Sequence, residues 1–322
     1  MTRITTLALG ALTAALIAST ASAQTYPDKP ITFVVPFAAG TATDQLARTI
    51  ANAVTTQIKQ PVVIDNKAGA SGIIASQQVA KAPADGYTVL ISTNTTHAAN
   101  EHLFKKLPYD PVKDFEPVTA LGRGGQFMVV NPSSKAGSVG EFVALARKEP
   151  GKYTFGSGSS SSRIAGELLQ QLAGISLLHV PYKSNTLAVT DLLGGQIDMM
   201  ITDSATGLPQ VKAGKLRALG FSGAKRSPLA ADLPTIAEAG VKDYEMGYWF
   251  AAYLPAKTPP AIVARLNELL VQAARSDSAK TAFYAPTGTE VFTTSPQDLG
   301  AFQIAEAQKW GRIVKAAGIE AE

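Results

Sequence analysis

The chain contains no cysteine and only three histidines. Without thiols there is no disulfide framework, no thiolate metal site and no thiol redox chemistry. His97 and His102 are five residues apart, not the three or four that puts two ligands on one helical face. No HExxH, CxxC or EF-hand pattern occurs, so no metal site is expected. GxxxxGK[ST], GxGxxG and the GxSxG elbow are also missing, which removes the usual signals for nucleotide binding and α/β-hydrolase chemistry. Charged residues make up only 17% of the chain, with a net charge of +4, and both signs are interspersed. There is no basic run and no aromatic-basic interleaving, hence no nucleic-acid footprint. The mild positive excess favours small anions. Beyond the N-terminus no segment reaches the roughly 20 apolar residues a membrane span needs.

What is present begins with an export signal. Arg3 gives a positive n-region, Leu7 to Ala18 an apolar h-region, and Ala21-Ser22-Ala23 a small-x-small site before Gln24. Residues 1–23 are expected to be a signal peptide cleaved after Ala23, with an uncleaved anchor as the alternative. Export to the periplasm follows from that expectation. Roughly 300 residues remain, which as a prior fits two domains of ordinary size.

The remainder alternates strands and helices. Ile31 to Val35 is a short β-branched run that suits a buried strand, and Pro36 stops it. Leu46, Ile50, Val54 and Ile58 then recur every four residues, a helical face. The junction, Phe37 to Asp44, aims a helix N-terminus at the carboxyl end of a strand, a geometry that binds anions. Strands are expected at Pro61–Asp65 and Tyr87–Ser92, with a helix at Ile73–Ala80 between them. Phe127–Val130 and Tyr153–Phe155 open a second unit of the same kind, with helices at Ser138–Lys148, Ile164–Ala173 and Thr186–Leu193. A strand at Ile197–Thr202 follows. The strand–helix–strand order implies parallel pairing. Ligands in such sheets lie beyond the carboxyl ends of strands, where the Ser92–His97 loop (Thr93, Thr95 and His97) also sits. Helices are expected at Ala261–Ala274 and from Ser295, an N-cap followed by Pro296.

Several residues carry two readings. The Ser157–Ser162 run, with Ser157, Ser159, Ser160 and Ser161, is either a flexible linker or a polar nest for an anion. Arg163, which follows it, is either a solvated surface residue or a fork for a carboxylate, and Lys183 after Tyr182 is equally ambiguous. Asp203 and Asp44 are helix-start residues or ligand groups. A hydrolase triad can be imagined from Ser157, His97 and Asp203, against the missing elbow. Trp249 and Phe250 are core residues or the cover of an apolar ligand.

In order along the chain, Tyr26-Pro27-Asp28-Lys29-Pro30, Val35-Pro36-Phe37, Asp44 with Ala47-Arg48, and Ala80 to Tyr87 form a set of motifs. Leu107 to Pro111 with Asp114-Phe115, His179 to Lys183, Asp191 to Gln196, Gly214 to Ala218, and Leu233-Pro234-Thr235 with Ala237 to Gly240 extend it. With these the chain resembles the Bug receptors, the substrate-binding proteins of tripartite tricarboxylate transporters. The resemblance spans nearly the whole mature chain. It implies an α/β, two-lobed periplasmic binding protein fold, type II-like. Each lobe is then a mainly parallel sheet flanked by helices, with two interlobe crossovers. Lobe 1 would comprise residues 24–124 and 247–322, and lobe 2 residues 125–246. The implied function is non-enzymatic and needs no cofactor: a monomer closes on a small carboxylate and delivers it to a permease with one large and one small membrane subunit. The family holds one carboxylate near the first turn with help from ordered waters. In this chain that concerns Phe37, Ala38, Ala39, Gly40, Thr41, Thr43 and Asp44. The serine loop, Tyr182, Lys183 and Asp203 would face it.

Three positions depart from the family pattern. Thr41 replaces the second glycine of the first turn. The serine loop is shorter and poorer in glycine, with Arg163 where histidine is common. Ser184 follows Tyr182-Lys183 in place of glycine. All three are expected at the cleft, so a C4–C6 dicarboxylate, a citrate-like acid, or an aromatic acid such as terephthalate or nicotinate all stay open. A sensor presenting its ligand to a signalling partner is the alternative role.

Overall fold

The computed structural model describes residues 26–321, and the expected signal peptide lies outside them. Among the described residues nine strands are formed: β1 Ile31–Val35, β2 Val62–Asn66, β3 Thr88–Thr93, β4 Phe115–Val130, β5 Thr154–Ser157, β6 Leu178–Pro181, β7 Met199–Asp203, β8 Arg217–Phe221 and β9 Gly247–Pro255. The longer helices are α1 Ala42–Ile58, α2 Ile73–Ala80, α3 Val139–Lys148, α4 Ser160–Ala173, α5 Asn185–Leu193, α6 Ser204–Lys212, α7 Pro260–Arg275 and α8 Pro296–Ala316.

The strands are ordered β2-β1-β3-β9-β4-β7-β5-β6, with β8 beside β4. In lobe 1, β2, β1 and β3 pair in parallel, and β9 runs against β3 and β4. In lobe 2, β6, β5 and β7 pair in parallel, and β4 runs against β7 and β8. Each lobe thus has one reversed strand in an otherwise co-directional sheet.

β4 joins the two lobes. Its register with β9 runs to Gly125↔Gly247, and its register with β7 starts at the next residue, Gln126↔Asp203. The return passage lies beside it: the Met246 N–H donates to Ser222 O in lobe 2 at 2.9 Å, and Gly247 begins β9. β4 begins at Phe115, twelve residues before the expected Phe127. Pro117, Gly122, Gly124 and Gly125 weaken the strand signal there, and two register shifts interrupt the alternation.

Helices cover the faces. α1 turns Leu46, Ile50 and Val54, all fully buried, onto the lobe 1 sheet, alongside Leu266 and Leu270 of α7. Burial of each such side chain stabilises by roughly 2 kcal/mol. In lobe 2, Ala188, Val189 and Leu192 of α5 pack with Phe127, Val129 and Met200. α6 was not anticipated, because Pro209 and its small residues disguise the helical period. α4 begins four residues before the expected Ile164, so Ser160–Ser162 form its first turn.

Candidate ligand-binding site

The β1–α1 turn closes tightly. The Thr41 N–H and Oγ1 both donate to Ala38 O, at 3.3 and 2.8 Å. Gly40 takes φ +81°, where a Cβ would be strained. Thr41 is the N-cap of α1, but its hydroxyl faces back into the turn and does not cap the helix. The Gln45 N–H reaches Thr41 O at 2.9 Å. The N–H groups of Ala42, Thr43 and Asp44 therefore stand ahead of the first helical bond, at the positive end of the helix dipole.

Asp44 clasps this turn from behind. Its carboxylate accepts from the Gly40 N–H at 2.9 Å, Arg48 Nε at 3.0 Å and Asn66 Nδ2 at 2.9 Å. Asn66 Nδ2 also donates to Phe37 O at 3.0 Å. Burial pushes the Asp44 carboxyl pKa up, but the bonds from Arg48, Gly40 and Asn66 outweigh it and hold the pKa below the usual range.

The end of β3 adds Thr93, Asn94 and Thr95. Asn94 Oδ1 accepts from the Trp249 N–H at 3.4 Å, which orients its amide. Its Nδ2 and Thr95 Oγ1 are then buried without a partner. His97 lies behind this wall. It is fully buried, stacks on Tyr253 at 4.0 Å, and holds Ser92 Oγ 2.7 Å from Nδ1. Burial pulls its pKa down to about 3, so the ring is neutral.

In lobe 2 the serine run is largely satisfied by itself. Ser159 Oγ caps α4 by accepting from the Ser162 N–H at 3.3 Å, and Ser162 Oγ answers the Ser159 N–H. Gly158 lies so close to the start of α5 that a Cβ would meet Ser184 C at 1.9 Å. The Gly158 N–H and Ser162 Oγ donate to Asn185 Oδ1 at 3.0 and 3.1 Å, and Asn185 Nδ2 donates to Asp203 Oδ2 at 3.2 Å. Asp203 also caps α6 through the Thr206 N–H at 2.9 Å. Ser184 caps α5, accepting from the Leu187 N–H at 3.4 Å. One buried bond crosses between lobes: Ser160 Oγ donates to Asn100 Oδ1 at 2.8 Å.

These groups enclose a cavity of about 40 Å³. Phe37, Thr41, Ala42, Thr43, Thr93, Asn94, Thr95, Tyr248 and Phe250 line it from lobe 1. Gln126, Gly158, Ser159, Ser161, Asn185 and Asp203 line it from lobe 2. That space holds a few waters and opens partly to solvent. Grooves of about 620 and 750 Å³ elsewhere are open surface troughs without such convergent buried polar groups.

Of the expected site residues, Phe37, Thr41, Thr43, Thr93, Thr95, Ser159, Ser161 and Asp203 meet at this cavity. The others are placed elsewhere. Ala38, Ala39 and Gly40 shape the turn at its rim, and Asp44 braces it. His97 is core. Ser157 Oγ pairs with His179 Nε2 at 2.7 Å, and Ser160 joins the lobes. Tyr182 turns its hydroxyl to Asp191 at 2.8 Å; burial, then the neighbouring carboxylate, pushes its pKa up to about 12. Lys183 is exposed. Arg163 lies one helical turn from Glu167, whose carboxyl it pulls down against the upward push of burial. Ser184, expected at the cleft, is a helix cap. The imagined triad does not assemble, since His97 partners Ser92 and Ser157 partners His179. Gln126, Asn185, Asn94 and Tyr248 were missed as lining residues, because their roles depend on how the lobes meet; Phe250, read as core or ligand cover, is both buried and at the cavity wall.

Two α/β lobes joined by paired crossover strands, with a cavity between them, define a type II-like periplasmic binding protein. The model of the "Tripartite tricarboxylate transporter family receptor" matches residues 46–319. The chain is 35% identical over 305 residues to Protein BugT of Bordetella pertussis, covering 94% of this chain and 93% of that one. Among solved structures, Rpa4515 of R. palustris with adipate superposes with a TM-score of 0.89 at 37% identity, over 92% of this chain and 100% of that one. The periplasmic binding protein BugD superposes with a TM-score of 0.88 at 30% identity, over 92% and 100%. The chain belongs to the Bug family of tripartite tricarboxylate transporter receptors.

Proposed function

We propose that the protein is a periplasmic receptor that captures a small carboxylate between its lobes. It then delivers that carboxylate to a permease of one large and one small membrane subunit, acting as a monomer and catalysing no reaction. The observation that carries the reading is the uncapped start of α1 at the cavity between the lobes. Beside it stand the unpartnered Asn94 Nδ2 and Thr95 Oγ1, on residues each 1% exposed. Buried polar atoms without partners are costly, and a ligand carboxylate supplies the acceptor that the donors require. The adipate held by the Rpa4515 structure supports the same chemistry.

The register switch of β4 between Gly125 and Gln126 supports a first lobe boundary one residue past the expected 124/125, and the start of β9 at Gly247 supports the second at 246/247. Closure is driven by contacts made only when both walls touch the ligand. Export by a signal peptide cleaved after Ala23 completes the reading.

A thermal-shift screen against mono-, di- and tricarboxylates tests it, because a ligand of the folded state raises the unfolding temperature with concentration. At least one acid is expected to do so, with a smaller radius by solution scattering. No stabilisation by any acid defeats the proposal.

A further inference from the structure

The bond from Ser160 to Asn100 joins the lobes outside the cavity. Ser160 Oγ, in the first turn of α4, donates to Asn100 Oδ1 at 2.8 Å. Asn100 is fully buried and Ser160 is 3% exposed, and neither lines the cavity. The Asn100 amide is oriented from lobe 1. Its Nδ2 donates to Ser71 O at 3.0 Å, an atom that can only accept, and to the Tyr109 hydroxyl at 3.3 Å. Tyr109 in turn donates to Thr96 O at 2.7 Å. The amide oxygen is thereby aimed at lobe 2. The Ser71 anchor sits in an unusual stretch of backbone. Ala70 and Ser71 take φ +46° and +50°, two consecutive non-glycine residues in the left-handed region. Strain of this kind persists where the surroundings hold it, and it gathers at functional positions.

The bond and the cavity share the same two elements. In lobe 1 a single π-helical turn, Thr95–Ala99, follows the end of β3, and Asn100 comes directly after it. Such turns are rare and occur frequently at functional sites. Thr95 at the start of the turn lines the cavity, and Asn100 just past its end makes the bond. In lobe 2, Ser159 and Ser161 line the cavity on either side of Ser160 in the sequence. Beyond the bond the seam is apolar: α8 packs on α4, and Trp310 and Ile164 belong to one buried cluster. Parting the lobes breaks the bond and wets the seam, and no ligand atom is needed to make either.

We infer that Ser160 and Asn100 form a latch that holds the lobes in the cavity-forming arrangement before a ligand arrives. They are positioning residues, which set affinity without touching the ligand. A ligand that binds only this arrangement binds more weakly in proportion as fewer free molecules adopt it. The latch adds to ligand-driven closure a contact that needs no ligand. The inference rests on capture between the lobes, and not on the captured molecule being a carboxylate.

Solution scattering on the ligand-free protein tests this. Ser160→Ala removes the donor and keeps a good helix former in the first turn of α4. Its ligand-free radius of gyration is expected to exceed that of the wild type. Ser138→Ala is the control for lost stability alone. Ser138 caps α3 by accepting from the Glu141 N–H at 3.2 Å and has no part in the network. This control is expected to unfold at a lower temperature and keep the wild-type radius. Calorimetry with adipate is expected to show roughly three- to tenfold weaker binding in Ser160→Ala, the loss of one ordinary hydrogen bond. Equal ligand-free radii in Ser160→Ala and wild type overturn the latch, and so does an unchanged adipate affinity. If adipate does not bind the wild type, the ligand-free radii still decide, so the latch and the carboxylate reading fail separately.

Discussion

Two helices begin at the cleft with similar runs of small hydroxylated residues, and their first turns end up in opposite states. α1 opens Thr41-Ala42-Thr43, and α4 opens Ser159-Ser160-Ser161-Ser162. In α4 the cap serine and Ser162 close on each other, so the Ser162 N–H, the third of the helix, is capped by a side chain. In α1 the cap threonine bonds backwards to Ala38 O, and the acidic residue of the first turn reaches Gly40 instead of the cap. The donors of α1 are left facing the cavity. Composition alone does not distinguish the two; the direction of one hydroxyl does. On the proposed reading, lobe 1 holds the anion.

That contrast depends most heavily on Asp44. Asp44→Ala leaves the Gly40 N–H, Arg48 and Asn66 without their shared acceptor and frees the turn. A loss of about 3 kcal/mol in urea unfolding is expected, together with lost carboxylate affinity. A change under about 0.5 kcal/mol, the scale of an ordinary surface substitution, means the clasp does not hold the jaw.

Converting α1 into a copy of α4 is the next largest perturbation. Thr41→Asp supplies the missing cap and places a negative charge where the ligand's carboxylate belongs. Affinity is expected to fall roughly a hundredfold, while thermal stability holds or rises. Full affinity in this variant, measured by calorimetry, would place the anion elsewhere.

Acid should weaken the lobe 1 wall through His97. Its folded pKa of about 3 lies below the ordinary 6.5. Between those values the unfolded chain binds a proton that the folded chain refuses, so this contribution to stability is intact above 6.5 and is lost as pH falls. From pH 7 to pH 5 the loss is about 2 kcal/mol. His97→Gln should flatten the slope; a wild-type stability that ignores this window contradicts a buried neutral ring.

The smallest effect is expected in lobe 2. Ser159→Ala uncaps α4 at a cost of about 1 kcal/mol, seen as a lower unfolding midpoint, and leaves carboxylate affinity within a few-fold. A large affinity loss instead would make α4 a second anion jaw.

Much of this architecture is legible in the sequence, for identifiable reasons. The β-branched run at Ile31–Val35, the stop at Pro36 and the four-residue period from Leu46 announce strand, turn and helix without reference to the rest of the chain. The family motifs supply two lobes. The first half of β4 is illegible because its glycines, Pro117 and bulges erase the alternation that marks a strand. The site is legible only in its local parts. Phe37, Thr41, Thr43, Ser159 and Asp203 lie at strand ends, where position alone suggests them. Gln126 and Asn185 have no such signal: one becomes a wall residue because β4 changes partners there, the other because Gly158 packs against it. His97 reads as polar loop, yet its stacking on Tyr253 makes it core.

The most direct measurement is the amide spectrum of the ¹⁵N-labelled protein during titration with a carboxylate that stabilises it. If the anion sits on α1, the N–H protons of Ala42 and Thr43 move downfield with saturation, and those of Ser160 and Ser161 move little. Large downfield shifts confined to Ser160 and Ser161, with Ala42 and Thr43 unmoved, would contradict the assignment of lobe 1 as the anion jaw.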